Sequence, residues 1–285
     1  MKVTFFGVRG STPCSSESQN RYGGNTSCVV VDVPGTDPIV FDLGTGLRTW
    51  GASLGTKVPF HGHALVSHMH WDHVQGLPFF GPILAAGSTL DVYGPGHDAD
   101  AVSDEFNQFL RPPCFPVRLA DLPGELTFHS VNDSEFVIGE ATITSRSVPH
   151  VGETNGYRID HGGVSVVYIS DHQQPIDGSL TISDSVLALC EGADLLIHDA
   201  QFTWPEFDAK SSWGHCTVDF AVAVAAQSGA RQLAMFHHDP SHDDDQIDAM
   251  LQTTRDLARG TGIEAVFAAS EGLSLSVGAA KVRAR

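Results

Sequence analysis

Polar and apolar positions alternate from Met1 to Gly7, which predicts a strand, and the short apolar runs Cys28–Val31, Ile39–Phe41 and Ala64–Val66 read as buried strands. Glycine-rich or polar loops flank these runs: Val8 to Pro13 follows the first, Arg21 to Ser27 leads into Cys28–Val31, Asp42 to Gly46 follows Ile39–Phe41, and Ser67 to His73 follows Ala64–Val66. After the last of these, Val74 to Pro78 reads as a turn into a helix. A strand at Thr89–Gly94 precedes a helix at Ala99–Leu110, which Arg111-Pro112-Pro113-Cys114-Phe115-Pro116 breaks. Strands follow at Glu125–Phe128, Glu135–Ile138 and Ala141–Ser147, and a hairpin pairs Tyr157–Ile159 with Val164–Ile169 around Asp160-His161-Gly162-Gly163. The last third alternates: a helix at Thr181–Glu191, a strand at Asp194–Ile197, a helix capped by Thr217 and closing near Gly229, and a strand at Gln232–Phe236. A helix at Asp245–Arg259 and strands at Ile263–Phe267 and Leu273–Val277 complete it. Strands ending in polar loops, with helices between them, make an α/β protein.

A chain of 285 residues can bury a sizeable core, and residues 1–285 read as one domain. No run approaches the roughly 20 apolar residues that cross a bilayer, and Met1 to Gly7 is too short for a signal-peptide core, so a cytoplasmic protein is expected. The cysteines Cys14, Cys28, Cys114, Cys190 and Cys216 are odd in number and widely spaced, which reads as reduced thiols. Cys216, beside His215, reads as a small helix-start residue. The 34 acidic against 16 basic residues give a formal charge of −18, which argues against a broad nucleic-acid-binding face. A small anionic substrate stays compatible, because bound cations would attract it.

The chemistry concentrates in Ser67-His68-Met69-His70-Trp71-Asp72-His73. Three imidazoles and a carboxylate on a loop after a buried strand are ligands for a borderline cation, Zn²⁺ first and Mn²⁺ or Fe²⁺ less tightly. Folding the loop back lets His68 and His70 point one way and Asp72 and His73 the other, toward two neighbouring cations.

The pattern His68-x-His70-x-Asp72-His73 resembles the signature of the metallo-β-lactamase superfamily. Over nearly its whole length the chain is similar to the phosphodiesterase branch that includes ribonuclease Z and cyclic-phosphate phosphodiesterases. The resemblance implies a four-layer αββα sandwich with the ligands at one edge and two divalent ions. One site would hold His68, His70 and His150, the other Asp72, His73 and His237, with Asp171 bridging. Asp42 resembles an aspartate that orients the histidine loop without binding metal. Of adjacent histidine pairs, His237 matches the last ligand position and His238 faces away if strand alternation persists; beside Asp171, His172 is a decoy. Phe6 to Ser11 and Tyr22 to Ser27 resemble segments near the active site of this branch, so Arg9 is a candidate phosphate contact.

His198-Asp199-Ala200 and Gly214-His215-Cys216-Thr217 resemble motifs of ribonuclease Z, with Asp199 where that enzyme has glutamate and Cys216 where it has serine. Two cations sharing a water would lower its pKa toward neutrality and give a bridging hydroxide. Asp72, Asp199 and His215 are the residues expected to take part in the chemistry, His215 protonating the leaving alkoxide and Asp199 orienting its ring. The expected function is hydrolysis of a small or cyclic phosphodiester, such as a 3′,5′-cyclic nucleotide. The alternatives are a tRNA 3′-end endonuclease, weakened by the acidic charge and by the lack of a long Gly-, Pro- and Lys-rich arm, and a metal-stabilised sensor without turnover. Residues 96–123 are expected to form a substrate wall or a dimer contact, and a homodimer is a family prior.

Overall fold

The computed structural model describes residues 1–55 and 59–278. Two seven-stranded sheets face each other. The first runs β14-β1-β2-β3-β4-β5-β6, with β1 Lys2–Gly7, β2 Cys28–Asp32, β3 Ile39–Phe41, β4 His61–Leu65, β5 Thr89–Gly94, β6 Glu125–Ser130 and β14 Ser274–Ser276. The second runs β13-β12-β11-β10-β9-β8-β7, with β7 Glu135–Ile138, β8 Ala141–Ser147, β9 Asn155–His161, β10 Val164–Ile169, β11 Leu195–Asp199, β12 Gln232–Phe236 and β13 Ala265–Ala268. Helices α1 Gly46–Leu54, α2 Trp71–Val74 and α3 Ala99–Phe109 belong to the first half of the chain. Helices α4 Asp184–Cys190, α5 Trp204–Lys210, α6 Val218–Ser228 and α7 Asp244–Leu257 belong to the second.

Strand alternation divides the apolar residues between layers. In β2, Val29 and Val31 face the opposite sheet and share an inner core with Phe5 and Phe41 of their own sheet and Tyr168 and Phe236 of the other. Cys28 and Val30 face outward onto Leu47, Trp50 and Phe80. On the other outer face Val167 and Ile169 pack with α4 and α6 through Val186, Leu189, Ala221 and Val224. The result is the expected αββα sandwich. Its halves repeat one pattern: β1-β2-β3 and β8-β9-β10 are antiparallel, and each then continues in parallel strands, β3 to β6 and β10 to β13. The leftover strand of each half, β7 or β14, pairs in the other half's sheet.

The helix expected to follow Val74 is not there. The chain turns helical earlier, at α2, and then makes two short 3₁₀ turns around Pro78 and Pro82, whose missing N–H groups prevent a longer α-helix. The helix expected from Thr181 starts at Asp184, because Ser183 caps it by accepting from the Val186 N–H. The acidic run at His242 to Asp245 is not wholly solvated: His242 and Asp244 are buried, and Asp244 accepts the Arg21 and Tyr22 backbone N–H groups. Thr217 caps α6 as expected, accepting from the Phe220 N–H at 3.2 Å, and its hydroxyl donates to Gln174 Oε1. Gly229 ends that helix at φ 71°, where a side chain would be strained. Among the described residues no helix is long and apolar enough to cross a membrane.

Candidate metal centre

Parallel strands leave their carboxyl ends at one edge of a sandwich, where side chains from separate strands converge. Here β3 leads to Asp42, β4 to the histidine loop, β10 to Asp171, β11 to Asp199 and β12 to His237. Asp42 adopts φ 56°, a left-handed conformation that Asp tolerates better than most residues. Its Oδ1 accepts the Ser67 N–H at 2.7 Å. Its Oδ2 accepts from Ser67 Oγ at 2.9 Å, His73 Nδ1 at 2.7 Å and the Tyr168 hydroxyl at 2.6 Å. Phe41 stacks on Tyr168 across the two sheets, ring centroids 4.6 Å apart, so core packing fixes one of those donors.

Around this anchor the side chains form two groups. The donor atoms of His68, His70 and His150 lie within 4.8 Å of one another, and so do those of Asp72, His73 and His237. Asp171 stands between them. Its Oδ2 is 3.8 Å from His68 Nε2 and 3.7 Å from His150 Nε2, while its Oδ1 is 3.2 Å from His73 Nε2 and 3.5 Å from His237 Nε2. One oxygen therefore faces each group.

These residues fit divalent cations. His68 Nε2 and Asp171 Oδ1 are buried without a hydrogen-bond partner, a costly condition that a bound cation relieves. Four of the rings also have the opposite nitrogen engaged: His73 Nδ1 by Asp42, His68 Nδ1 by Ser67 Oγ at 3.0 Å, His150 Nδ1 by the Gly214 carbonyl at 2.7 Å, and His237 Nδ1 by Gln201 Oε1 at 2.8 Å. An Nδ1–H donated to Asp42, Gly214 or Gln201 leaves the Nε2 lone pair for a metal.

Without a cation the cluster pairs internally. Burial works against charge on His73, but Asp72, Asp171 and Asp42 outweigh it and hold the ring well above the usual histidine range. Burial, reinforced by His73, pushes His68 well below that range. Asp72 and Asp171 resist burial and sit well below the ordinary carboxylate range because of the imidazoles around them.

Beside the cluster, His215 Nδ1 donates to Asp199 Oδ2 at 3.1 Å. Burial lowers the affinity of this ring for a proton, yet the Asp199 carboxylate outweighs it and the pKa is raised. Asp199 is itself fixed by the Gln201 and His172 backbone N–H groups. His215 also lies within ligand reach of Asp171 and His237.

The structure places the remaining candidates away from the chemistry. Arg9 is fully buried, its guanidinium donating to the carbonyls of Gly23, Asp239 and His242. Its Nε and Nη1 tie three loops together while Nη2 is buried without a hydrogen-bond partner, so Arg9 does not occupy the exposed position expected of a phosphate contact. His238 donates to the Ala269 carbonyl, and His172 pairs with His198 at 3.0 Å. His237 and His238 do part company, although not by strand alternation: β12 ends at Phe236 and His237 turns at φ 57°. Cys216 is buried with its thiol on the Asp199 carbonyl, and burial raises its pKa. All five cysteines are free thiols.

The supporting residues Ser67, Tyr168, Gln201 and the Gly214 carbonyl were not singled out from the sequence, nor was Ser11, whose N–H donates to Asp72 Oδ2 at 2.8 Å. Ser67, next to His68, and Gln201 and Gly214, each within two residues of Asp199 or His215, carried a local signal. A cleft of about 560 Å³ opens beside His68 and His70, walled by Pro95 to His97 and the first turns of α3 on one side and by Val151 to Glu153 on the other.

Residues 34–238 match the family model described as a beta-lactamase superfamily domain. A ribonuclease Z of Synechococcus sp. is 25% identical, the match covering 85% of this chain and 88% of that protein. An uncharacterized protein of Mycobacterium tuberculosis is 28% identical, with 84% and 81% covered. Among solved structures, the metallo-beta-lactamase fold protein YhfI from Bacillus subtilis superposes with a TM-score of 0.70 at 23% identity, over 96% of this chain and 98% of that one.

Proposed function

The chain belongs to the beta-lactamase superfamily, and from that premise we propose that it is a dinuclear metal-dependent phosphodiesterase acting on a small or cyclic phosphodiester such as a 3′,5′-cyclic nucleotide. The observation that carries this reading is the Asp199–His215 pair beside the two ligand groups. Two divalent cations, zinc by the ligand set, would supply an activated water near neutral pH and neutralise phosphate charge. The remaining need of such a reaction is a proton for the departing alkoxide. With Nδ1 held by Asp199, the His215 ring has Nε2 left to give that proton to the leaving oxygen. Asp199 fixes the ring and favours its protonated state. Asp171, with one oxygen toward each ligand group, sets the spacing between them. Asp42, Gln201 and the Gly214 carbonyl hold the ligand rings in one tautomer.

Substitution of His215 by Ala tests this. Metal content should be retained, while kcat on a diester with an alkoxide leaving group falls roughly 10²- to 10⁴-fold. An activated aryl diester should lose much less, and equal losses on both remove His215 as the proton donor.

A second reading, tRNA 3′-end processing, is supported by the curated relatives named ribonuclease Z, which align with most of the chain. The net charge of −18 speaks against it. A metal-loaded preparation assayed on cyclic AMP, cyclic GMP, a ribose cyclic phosphate, an aryl phosphodiester and precursor tRNA separates the two. Cleavage of precursor tRNA alone would install the second reading, and no turnover of any would favour a metal-binding sensor. Free thiols and the absence of a membrane-crossing helix among the described residues support a cytoplasmic setting.

A further inference from the structure

The cleft beside His68 and His70 has a charge pattern that the phosphodiesterase reading does not require. Asp104 and Glu105, consecutive on α3, and Glu153, in the segment after His150, are all among its lining residues. All three are exposed, and no lysine or arginine is among the residues lining the cleft. At its inner end lies His68, nine-tenths and more buried, whose Nε2 has no partner. The cleft therefore runs from the position of the scissile phosphate, where cations would concentrate positive charge, outward between carboxylates.

We propose that this wall selects substrates by their number of negative charges: a phosphodiester with a single anionic group enters, and one bearing a further phosphate is rejected. The inference rests on the phosphodiesterase reading. Physically, the charge of one diester can be met by the metal centre, but a second phosphate reaching into the cleft meets three carboxylates and, apart from His97, whose ring lies 3.4 Å from Asp98, no basic side chain beyond the metal ligands. The organic part that suits the cleft presents hydrogen-bond donors, such as hydroxyls, an exocyclic amine or an ammonium, because ionised carboxylates only accept. Through a water-like dielectric each carboxylate, roughly 8 Å away, disfavours an added charge by about two-fold, and three together by roughly ten-fold. Salt should erode that factor, since the walls are exposed.

The test compares the dinucleoside monophosphate adenylyl-adenosine with its counterparts carrying one additional terminal monophosphate, at the 5′ or the 3′ end. It uses the zinc-loaded wild-type protein and the triple variant Asp104→Asn, Glu105→Gln, Glu153→Gln. The readout is the ratio of kcat/KM values within each protein, so a change in overall rate does not enter. The wild type should prefer the singly charged diester by roughly ten-fold or more at low salt, with the ratio shrinking between about 20 and 300 mM salt, and the triple variant should bring it close to one. A ratio near one in the wild type, or an unchanged ratio in the variant, overturns the inference. If bis(4-nitrophenyl) phosphate is not hydrolysed by the wild type, it is the phosphodiesterase reading that fails. The same ratio taken from dissociation constants by calorimetry then decides the charge selection, with the same two results overturning it.

Discussion

Replacing Asp42 by Asn changes one atom in a fully buried carboxylate that binds no metal, which makes it a stringent probe of how the centre is held. Four donors converge on the two oxygens, three of them on Oδ2. The amide can keep its oxygen toward those three, but its NH₂ then faces the Ser67 N–H across a site that measured 2.7 Å from donor to acceptor. Flipping the amide is worse, because three donors then lose their acceptor. The cheaper orientation leaves a buried N–H without a partner, about 1–3 kcal/mol, and weakens three charge-assisted bonds, for a total of roughly 2–4 kcal/mol. In a chain of this size that is a fall in Tm of roughly 3–7 °C. The effect also reaches the metal. His73 loses the anionic partner that keeps its proton on Nδ1, so the Nε2–H tautomer, which cannot ligate, becomes competitive. Affinity at the Asp72, His73 and His237 group should drop roughly 10- to 100-fold, as loss of a partner behind a ligating histidine does. Competition with a chromophoric chelator reads the affinity and calorimetry reads the Tm. Tyr168→Phe, which removes one donor and keeps the Asp42 carboxylate behind His73, should show a clearly smaller effect on affinity. Wild-type affinity for both cations together with a Tm within about 1 °C in Asp42→Asn would refute the argument.

Gly214 is at φ 96°, and a Cβ there would lie 2.4 Å from the His150 ring, so Gly214→Ala should displace His150 and lower metal stoichiometry as measured by elemental mass spectrometry. Gln201→Ala removes the acceptor behind His237 and should weaken one of two cations by roughly ten-fold or more in a chelator titration, while Gln201→Glu, which keeps an acceptor, should recover most of it. Stability of the chelator-stripped protein should peak at roughly pH 6 to 7. His73 and His215, with raised pKa values, contribute stability that is full below the unfolded histidine pKa and lost as pH climbs through their folded values. His68, His70 and His150, with lowered pKa values, are neutral in the folded protein and cost stability as pH drops below the unfolded value. Metal-loaded protein should lose the His73 part of the alkaline decline, because its ligands are already deprotonated, and keep the His215 part; thermal melts across pH 5 to 9 check both arms.

The legibility of this molecule in its sequence follows from which interactions are local. The strands β3, β5, β7, β8, β10 and β12 could be bounded to the residue because each is a short apolar or alternating run closed by a polar loop. Helix α5 went unread, although Thr203 and Glu206 form a capping box around Pro205 that announces it: Glu206 Oε2 accepts both the Thr203 N–H and its hydroxyl. The prolines that stop a helix after Val74 were equally visible, at Pro78 and Pro82. Arg9 misled for a different reason. An arginine in a glycine-rich loop near a proposed phosphate site looks like a ligand, and only the pairing of His238, just beyond β12, with that loop shows its Nε and Nη1 engaged by backbone carbonyls.

Most of the proposed ligands were legible because each stands at or just beyond a strand end, in a polar motif next to an apolar run, and the duplicated strand pattern brings those ends to a single edge. The supporting residues were harder to read, because all but Ser67, which stands next to His68, act across that duplication or across loops far apart in the chain. Tyr168 in the second sheet donates to Asp42 in the first, the Gly214 carbonyl serves His150, Gln201 serves His237, and Ser11 donates to Asp72. A side chain that serves another over such separations leaves no periodicity and no spacing to read. The same cross-linking gives the site its rigidity: moving a ligand on one half disturbs partners on the other. Substitutions such as Asp42→Asn, Gln201→Ala and Gly214→Ala, which touch no proposed ligand, are therefore expected to act on metal binding before they act on catalysis.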